Sequence, residues 1–122
     1  MVVTNNDFCT QYGYGGMILA ALTVMDENLI YIHASHMRSI TIGHELGHFL
    51  DCIAGWPSQT SEFQQLFWQE SGSFVEHDSR GDQSKQNTHE FFAAICCQTY
   101  IAPDTEATAP QSFAFVKQYL PQ

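Results

Sequence analysis

The segment "TIGHELGHFLDC", residues 41–52, places two histidines four positions apart on either side of a glutamate. On a helix, His44 and His48 lie one turn apart and about 40° from alignment, so both imidazoles can point to one metal ion. Glu45 lies about 100° around the helix from His44, where it can reach a water molecule beside that ion. This pattern is typical of zinc peptidases. It predicts one Zn2+ per chain, with His44 and His48 as ligands and Glu45 as general base.

A catalytic zinc site needs a third protein ligand, and this segment does not contain one. A third histidine six residues after His48 would fall on Ala54. The downstream residues that can serve are Glu62, Glu70, Glu76, His77, Asp78, Asp82, His89 and Glu90. Among these we favour Glu90, because it lies in the first turn of a predicted helix whose segment "FFAAICC" is apolar enough to pack beside the histidine helix.

Two further residues of the histidine helix have predicted roles beside the metal. Asp51 lies one turn after His48 on the same face, where its carboxylate can orient an imidazole N–H. The alternative for Asp51 is a solvated carboxylate on the helix surface. Gly47 is predicted to leave room beside the metal ion, because it has no side chain.

Periodicity and turn residues predict the elements that must position these side chains. The segments "MILAALTV" and "LIYIHA", separated by "MDEN", read as two strands of a hairpin. A helix over about residues 40–54 follows and is ended by Gly55. A second helix opens at residues 58–61 and ends near "ESG", with an apolar stripe of Phe63, Leu66 and Phe67 whose aromatic residues are predicted to lie in the core.

The second half of the chain alternates a polar stretch with further helices. Residues 72–87 are polar and predict a long surface loop of the kind that borders a site. Thr88 is predicted to cap a third helix that is broken by Pro103, and Pro110 begins a fourth. We therefore predict one α+β domain over residues 1–122, with an N-terminal β-hairpin or small sheet followed by about four helices.

Composition and charge indicate which kinds of binding partner are disfavoured. Thirteen acidic and four basic residues give a formal net charge of −9, so neither nucleic acid nor a membrane surface is predicted as a partner. The longest apolar run, residues 17–22, is too short to span a bilayer, and no signal peptide is visible. The cysteines show no CxxC spacing and are predicted to be buried free thiols, with a bridge between Cys9 and Cys52 as the alternative.

The motifs "HELGHFLD" and, some forty residues later, "HEFFAA" resemble the catalytic domain of anthrax lethal factor and the clostridial Pro-Pro endopeptidases. These are zinc metallopeptidases of the gluzincin type. The resemblance runs from about residue 40 to the C-terminus and includes "SQTSEFQQLFWQESGS" and "APQSFAFVKQYL". It implies a small zincin-like fold with His44, His48 and Glu90 as zinc ligands and Glu45 as general base. It also implies secretion or delivery as a toxin-like effector, with a cytoplasmic location as the alternative.

The chain departs from the pattern of these relatives at two positions. They tend to carry a tyrosine seven residues before the third ligand, which stabilises the oxyanion, and a second glutamate four residues after it. Here these positions are Gln83 and Ala94. Losing an oxyanion donor costs on the order of a hundredfold in rate. The predicted substitute donors are His77, Arg80 and His89.

The predicted function is that of a zinc-dependent endopeptidase acting on a peptide or protein substrate. In zincins the substrate lies extended along an edge strand above the active-site helix, and here the predicted edge includes Gly15, Gly16 and Met17. The alternative is a zinc-binding domain that holds a peptide or partner protein with weak or lost catalysis, which Gln83 and Ala94 favour. The sequence predicts neither the cleavage specificity nor the oligomeric state.

Overall fold

The computed structural model describes residues 2–4, 21–24, 29–33, 39–76 and 83–120. Within these ranges the chain first forms three strands, β1 (Val2–Thr4), β2 (Ala21–Val24) and β3 (Leu29–His33). It then forms four α-helices, α1 (Ser39–Ile53), α2 (Ser61–Glu70), α3 (Thr88–Ile101) and α4 (Pro110–Lys117). Short 3₁₀ segments over Pro57–Gln59, Gln83–Lys85 and Pro103–Thr108 connect the helices.

The strands form one small sheet in the order β1-β3-β2. β3 pairs antiparallel with β2, with Leu22 opposite Tyr31. β3 also pairs in parallel with β1, with Val3 opposite Ile32. The sequence analysis did not predict β1, and of the first predicted strand only Ala21–Val24 lies within the described residues. A two-stranded hairpin is therefore an incomplete account of this sheet.

The predicted α+β architecture requires correction, because helices dominate the described chain. The four α-helices contain 15, 10, 14 and 8 residues, whereas the strands contain 3, 4 and 5. Among the residues whose side chains are described, the hydrophobic core comes from residues 63–120. A strand of three to five residues presents only about two side chains to each face. The described part of the chain is therefore predominantly helical, with one short three-stranded sheet.

Helix α1 ends just before Gly55, as the sequence predicted. The N–H of Gly55 donates to the carbonyl of Cys52, and the N–H of Trp56 donates to the carbonyl of Asp51. These are the two hydrogen bonds of a Schellman motif, and Gly55 adopts the left-handed conformation that the motif requires, with φ of 85°. Trp56 is also left-handed, with φ of 64°, which is unusual for a bulky residue.

The beginnings of α2 and α3 follow local capping rules, with one correction. The Thr60 side chain accepts a hydrogen bond from the N–H of Phe63 at the start of α2. At the start of α3 the capping residue is Asn87, whose side-chain oxygen accepts from the N–H of Glu90 at 2.9 Å. The predicted cap, Thr88, is instead the first helical residue. Both are good capping residues, and the choice depends on which of them has extended backbone.

Helices α1 and α3 pack closely through glycines. A Cβ atom added to Gly47 would lie 2.7 Å from the Cα of Ala93, and one added to Gly43 would lie 2.7 Å from the Sγ of Cys97. The two contacts run in opposite chain directions, so the helices are antiparallel. The prediction that Gly47 leaves room beside a metal was wrong, because its open side is filled by the backbone of α3.

Aromatic residues from three helices and one loop form the core. Phe63 of α2 packs with its ring centroid 5.6 Å from that of Phe91 and 5.1 Å from that of Phe115. The core placement of Phe63 is confirmed. Phe74 and Ser84 are also buried, so the prediction of a surface loop over residues 72–87 was wrong at these two positions. Among the described residues, no helix is long and apolar enough to cross a membrane.

Candidate metal site

Two helices bring together His44, His48 and Glu90. The imidazole centroids of the two histidines are 4.9 Å apart, with their planes at 80°. One Glu90 oxygen, Oε2, lies 2.7 Å from His44 Nε2, and the other, Oε1, lies 3.3 Å from His48 Nε2. One potential ligand atom from each residue lies within 4.8 Å of the other two. The third ligand favoured from the sequence thus lies beside both histidines, although it is 46 positions from His44 along the chain.

The chemistry of this donor set suits zinc. Tetrahedral zinc with ligands at about 2.0–2.1 Å holds neighbouring ligand atoms about 3.3 Å apart. The distance of 3.3 Å between His48 Nε2 and Glu90 Oε1 matches that separation, whereas the 2.7 Å between His44 Nε2 and Glu90 Oε2 is a hydrogen-bond distance. Two imidazoles and one carboxylate are also a known catalytic set that leaves a fourth position for water. The side chains of His44, His48 and Glu90 are 14%, 16% and 23% exposed, so water can reach the cluster.

Charge and burial act in opposite directions on Glu90. Burial raises the pKa of its carboxyl group, but the hydrogen bonds and charges of His44 and His48 outweigh burial and hold this pKa well below the usual range. For His48, burial lowers the pKa, whereas the hydrogen bond and charge of Glu90, followed by the charges of Glu45 and Asp51, raise it above 6.5. Glu90 is therefore an anion at neutral pH, as a metal ligand must be.

Glu45 is half-buried on α1, directly after the first histidine. Its charge contributes to the raised pKa of His48, which places its carboxylate within electrostatic reach of the ligand cluster. Its position about 100° around the helix from His44 keeps it off the line of the two imidazoles. This arrangement leaves Glu45 able to act on a water molecule next to the cluster.

Asp51 is fully buried, so the alternative of a solvated carboxylate was wrong. Its Oδ1 accepts a hydrogen bond from the N–H of Ser58 at 3.1 Å, and its Oδ2 accepts from the Ser58 hydroxyl at 2.5 Å. Oδ2 also lies 3.3 Å from Nδ1 of His89. Asp51 therefore accepts hydrogen bonds from Ser58 and lies within hydrogen-bond distance of His89, while it influences His48 through charge.

His89 directly precedes Glu90 but contacts different residues. Its Nδ1 lies 2.8 Å from the Ser58 hydroxyl, its Nε2 lies 3.4 Å from the Gln59 side-chain nitrogen, and its ring meets Trp56 edge to face at 5.5 Å. Both ring nitrogens thus have partners outside the ligand cluster, and this weakens the case for His89 as an oxyanion donor. Sequence reasoning missed Ser58 because its contacts depend on the left-handed turn at Trp56.

Several predicted residues lie elsewhere. Ala94, four positions after Glu90, is fully buried in the hydrophobic core. Gln83 begins a 3₁₀ segment before α3. Glu70, one of the alternative third ligands, accepts hydrogen bonds from Ser112 of α4. The predicted site residues outside the described ranges are His77, Asp78, Arg80, Asp82, Gly15, Gly16 and Met17.

The described cysteines are Cys52, Cys96 and Cys97, and none of the three forms a disulfide. Cys9, the other member of the alternative bridge, lies outside the described residues. Burial raises the pKa of the Cys97 thiol to about 11, with a smaller contribution from the charge of Glu76. Burial also raises the pKa of Cys96. The prediction that Cys96 and Cys97 are buried thiols outside any disulfide is confirmed, and the raised pKa values keep both protonated at neutral pH.

The family described as "Anthrax toxin lethal factor, N- and C-terminal domain" matches residues 4–119 of this chain. The match spans nearly the whole chain and includes the histidine–glutamate cluster. A search of curated proteins finds no match. The family description names domains of a toxin component and no reaction, so the activity has to be argued from the residues of the site.

Proposed function

This chain belongs to the anthrax toxin lethal factor family, and we propose that it is a zinc-dependent endopeptidase of the gluzincin type. The observation that best supports the proposal is the convergence of His44, His48 and Glu90, with one ligand atom from each within 4.8 Å of the others. A helical repeat alone brings the two histidines together, but the glutamate comes from a separate helix. The addition of Glu90 favours a metal site over two unrelated surface histidines.

The proposed chemistry assigns one task to each residue. His44, His48 and Glu90 hold the metal ion, and zinc supplies the Lewis acidity that makes water more acidic and a peptide carbonyl more electrophilic. Glu45 accepts a proton from the attacking water as the new C–O bond forms. The same glutamic acid then donates that proton to the leaving amine as the C–N bond breaks. Because the pKa of Glu90 is low, its carboxylate is available as a ligand throughout the neutral range.

A zinc-binding domain that holds a peptide or partner protein with weak or lost catalysis is the second candidate. Ala94 favours it, because full burial in the apolar core leaves no carboxylate at the position where the resembled peptidases carry a second glutamate. Gln83 favours it as well, because it stands where those peptidases carry the tyrosine that stabilises the oxyanion. The two candidates share the metal site and differ in peptide hydrolysis.

Zinc content tests the feature that both candidates share. Metal analysis of the purified protein should find about one zinc per chain, and His48→Ala and Glu90→Ala should each lose most of it. Glu62→Ala is the matched control, because this exposed carboxylate lies on α2 outside the cluster. Full zinc occupancy in His48→Ala would show that the ligand assignment is wrong.

Digestion of a peptide library separates the two candidates. The wild type should cleave peptides, and Glu45→Gln should lower the rate by at least about a hundredfold while zinc content stays unchanged. Glu62→Gln should cleave like the wild type. If the wild type retains zinc but cleaves no peptide at high enzyme concentration, the binding candidate is favoured instead.

The proposal includes a peptide or protein as substrate and a secreted or delivered protein as the biological context. The net charge of −9 favours neither nucleic acid nor an anionic membrane as a partner. Immunoblotting of culture medium and cell lysate from the source organism tests the location. Confinement of the protein to the lysate would favour the cytoplasmic alternative.

A further inference from the structure

A buried carboxylate and serine join the end of α1 to the chain that follows it. The left-handed residues Gly55 and Trp56 reverse the backbone, so that Ser58 returns beneath the last turns of the helix. There, Ser58 donates both its N–H and its hydroxyl to the carboxylate of Asp51, at 3.1 and 2.5 Å. Both residues are fully buried. A buried carboxylate held by two donors has few alternative positions available, so this junction is rigid.

The number of available protons shows which ring nitrogen of His89 donates a hydrogen bond and which accepts one. The single hydroxyl proton of Ser58 is donated to Asp51, so the Ser58 oxygen can only accept from His89. Nδ1 of His89 therefore carries a proton, and Nε2 accepts from the side-chain amide of Gln59. The resulting chain of donors leads from the protein surface at Gln59 to the buried carboxylate of Asp51.

This arrangement differs from a serine hydrolase triad. In such a triad the serine hydroxyl donates to the imidazole and is exposed to substrate. Here the hydroxyl donates to the carboxylate, and Ser58 is fully buried. The network has no exposed nucleophile, so its effect must be on the position of the elements that it connects.

We infer that Asp51, Ser58 and His89 are positioning residues for the third zinc ligand. His89 is the residue before Glu90, and Asp51 lies three residues after His48, so the network joins the two ligand-bearing helices beside the cluster. The close contact of Gly47 with Ala93 holds the same helices together on the other side of Glu90. Glu90 is thereby fixed between two points of attachment. This inference rests on the proposed zinc site.

The zinc dissociation constant, measured by competition with a chelator, tests the inference. Ser58→Ala and His89→Ala should each weaken zinc binding by about 10- to 100-fold, the range typical of residues that orient metal ligands. His89→Asn should recover binding to within about threefold of the wild type, because its amide keeps an N–H near the position of Nδ1. His89 is 36% exposed, so its replacement should leave the protein folded.

Ser112→Ala is the matched control. Ser112 is also fully buried and donates its N–H and hydroxyl to a carboxylate, that of Glu70, but this pair does not contact the cluster. This variant should lower the melting temperature while changing the zinc dissociation constant by less than about twofold. A general loss of packing would weaken zinc binding equally in Ser58→Ala and Ser112→Ala, and that result would overturn the inference.

A second measurement separates this inference from the proposed function. In metal-free protein, the ring nitrogen resonances of His44 and His48 report their contact with Glu90. His89→Ala should shift or broaden these resonances, whereas Ser112→Ala should leave them unchanged. If the wild type binds no zinc but His89→Ala alters the resonances, the proposed function fails and the positioning role stands. Unchanged resonances together with an unchanged zinc dissociation constant in His89→Ala would overturn the positioning role.

Discussion

The domain uses one hydrogen-bonding arrangement twice, at Asp51 with Ser58 and at Glu70 with Ser112. In each pair a buried serine donates both its N–H and its hydroxyl to a carboxylate from an earlier helix. Glu70 lies at the end of α2, and Ser112 lies in the first turn of α4. Ala109, which precedes α4, has no side-chain acceptor, so Glu70 caps this helix from a distance.

The difference between the pairs lies in their neighbours. Glu70 accepts hydrogen bonds from N–H groups in the first turn of α4, which have no partner within the helix. Its pair therefore stabilises the packing of α2 against α4. Asp51 has His89 as an additional neighbour, and His89 is adjacent to Glu90. The same local chemistry thus supports helix packing in one pair and the candidate metal site in the other. The role of a buried hydrogen-bonded pair therefore depends on the helices and side chains that it connects.

The largest expected effect is that of Asp51→Ala. This change removes the acceptor for two buried donors of Ser58, so the free energy of unfolding should fall by about 3–5 kcal/mol. The folded fraction should also bind zinc at least about tenfold more weakly. Urea unfolding and chelator competition measure the two effects. If folded Asp51→Ala binds zinc as tightly as the wild type, the Asp51 pair does not support the metal site and does not differ from the Glu70 pair.

Glu70→Ala should lower stability somewhat less and should leave the metal site intact. It leaves the N–H and hydroxyl of Ser112 without their acceptor, at an expected cost of about 2–4 kcal/mol in the free energy of unfolding. Zinc affinity should stay within about twofold of the wild type. Glu106→Ala is the control, because it removes only the exposed ion pair with Lys117 and should cost less than about 1 kcal/mol. A tenfold loss of zinc affinity in Glu70→Ala would contradict the comparison.

Gly47→Ala should perturb the site from the other point of attachment. The added methyl group would lie 2.7 Å from the Cα of Ala93, so α1 and α3 must move apart, at an expected cost of about 1–3 kcal/mol. Zinc affinity should fall because Glu90 moves with α3. The control is Gly72→Ala, where an added Cβ meets no atom within 4 Å. Thermal unfolding and chelator competition provide the measurements, and equal behaviour of the two variants would argue against a close helix contact.

The smallest expected effect is a pH dependence that belongs to the metal-free ligand cluster. The lowered pKa of Glu90 gives stability that is present above its unfolded value of 4.5 and is lost as pH falls below it. The raised pKa of His48 gives stability that is present below 6.5 and is lost as pH rises through its folded value. The contribution of the pair should therefore be greatest between pH 4.5 and 6.5.

Glu90→Gln tests this pH dependence, because it removes the carboxyl group with the lowered pKa and the main group that raises the pKa of His48. Urea unfolding of chelator-treated protein across this range should show a stability difference from the wild type that shrinks towards either end. Ser112→Ala should instead differ from the wild type by a nearly constant amount, because no histidine takes part in the Glu70 pair. A constant difference for Glu90→Gln as well would contradict the coupling of Glu90 to the histidines.

Structural features that depend only on residues close together in the sequence were predictable. The bounds of α1, its end at Gly55 and the start of α4 at Pro110 follow from helical periodicity, glycine and proline. The buried Phe74 and the strand β1 were missed, because a short polar segment or a three-residue strand carries too little local pattern. The prediction of an α+β fold was wrong for the same reason. Local strand patterns predict which segments pair, but not how much of the domain the sheet makes up.

By itself, the sequence determined which residues can bind a metal and act on water, because a four-residue helical spacing aligns His44 with His48 whatever surrounds them. It also favoured Glu90 among several acidic candidates. The tertiary structure decided which groups surround these residues. Gly47 serves helix packing, and Asp51 binds Ser58 in place of solvent, because the left-handed turn at Trp56 and the close contact of α1 with α3 bring distant segments together.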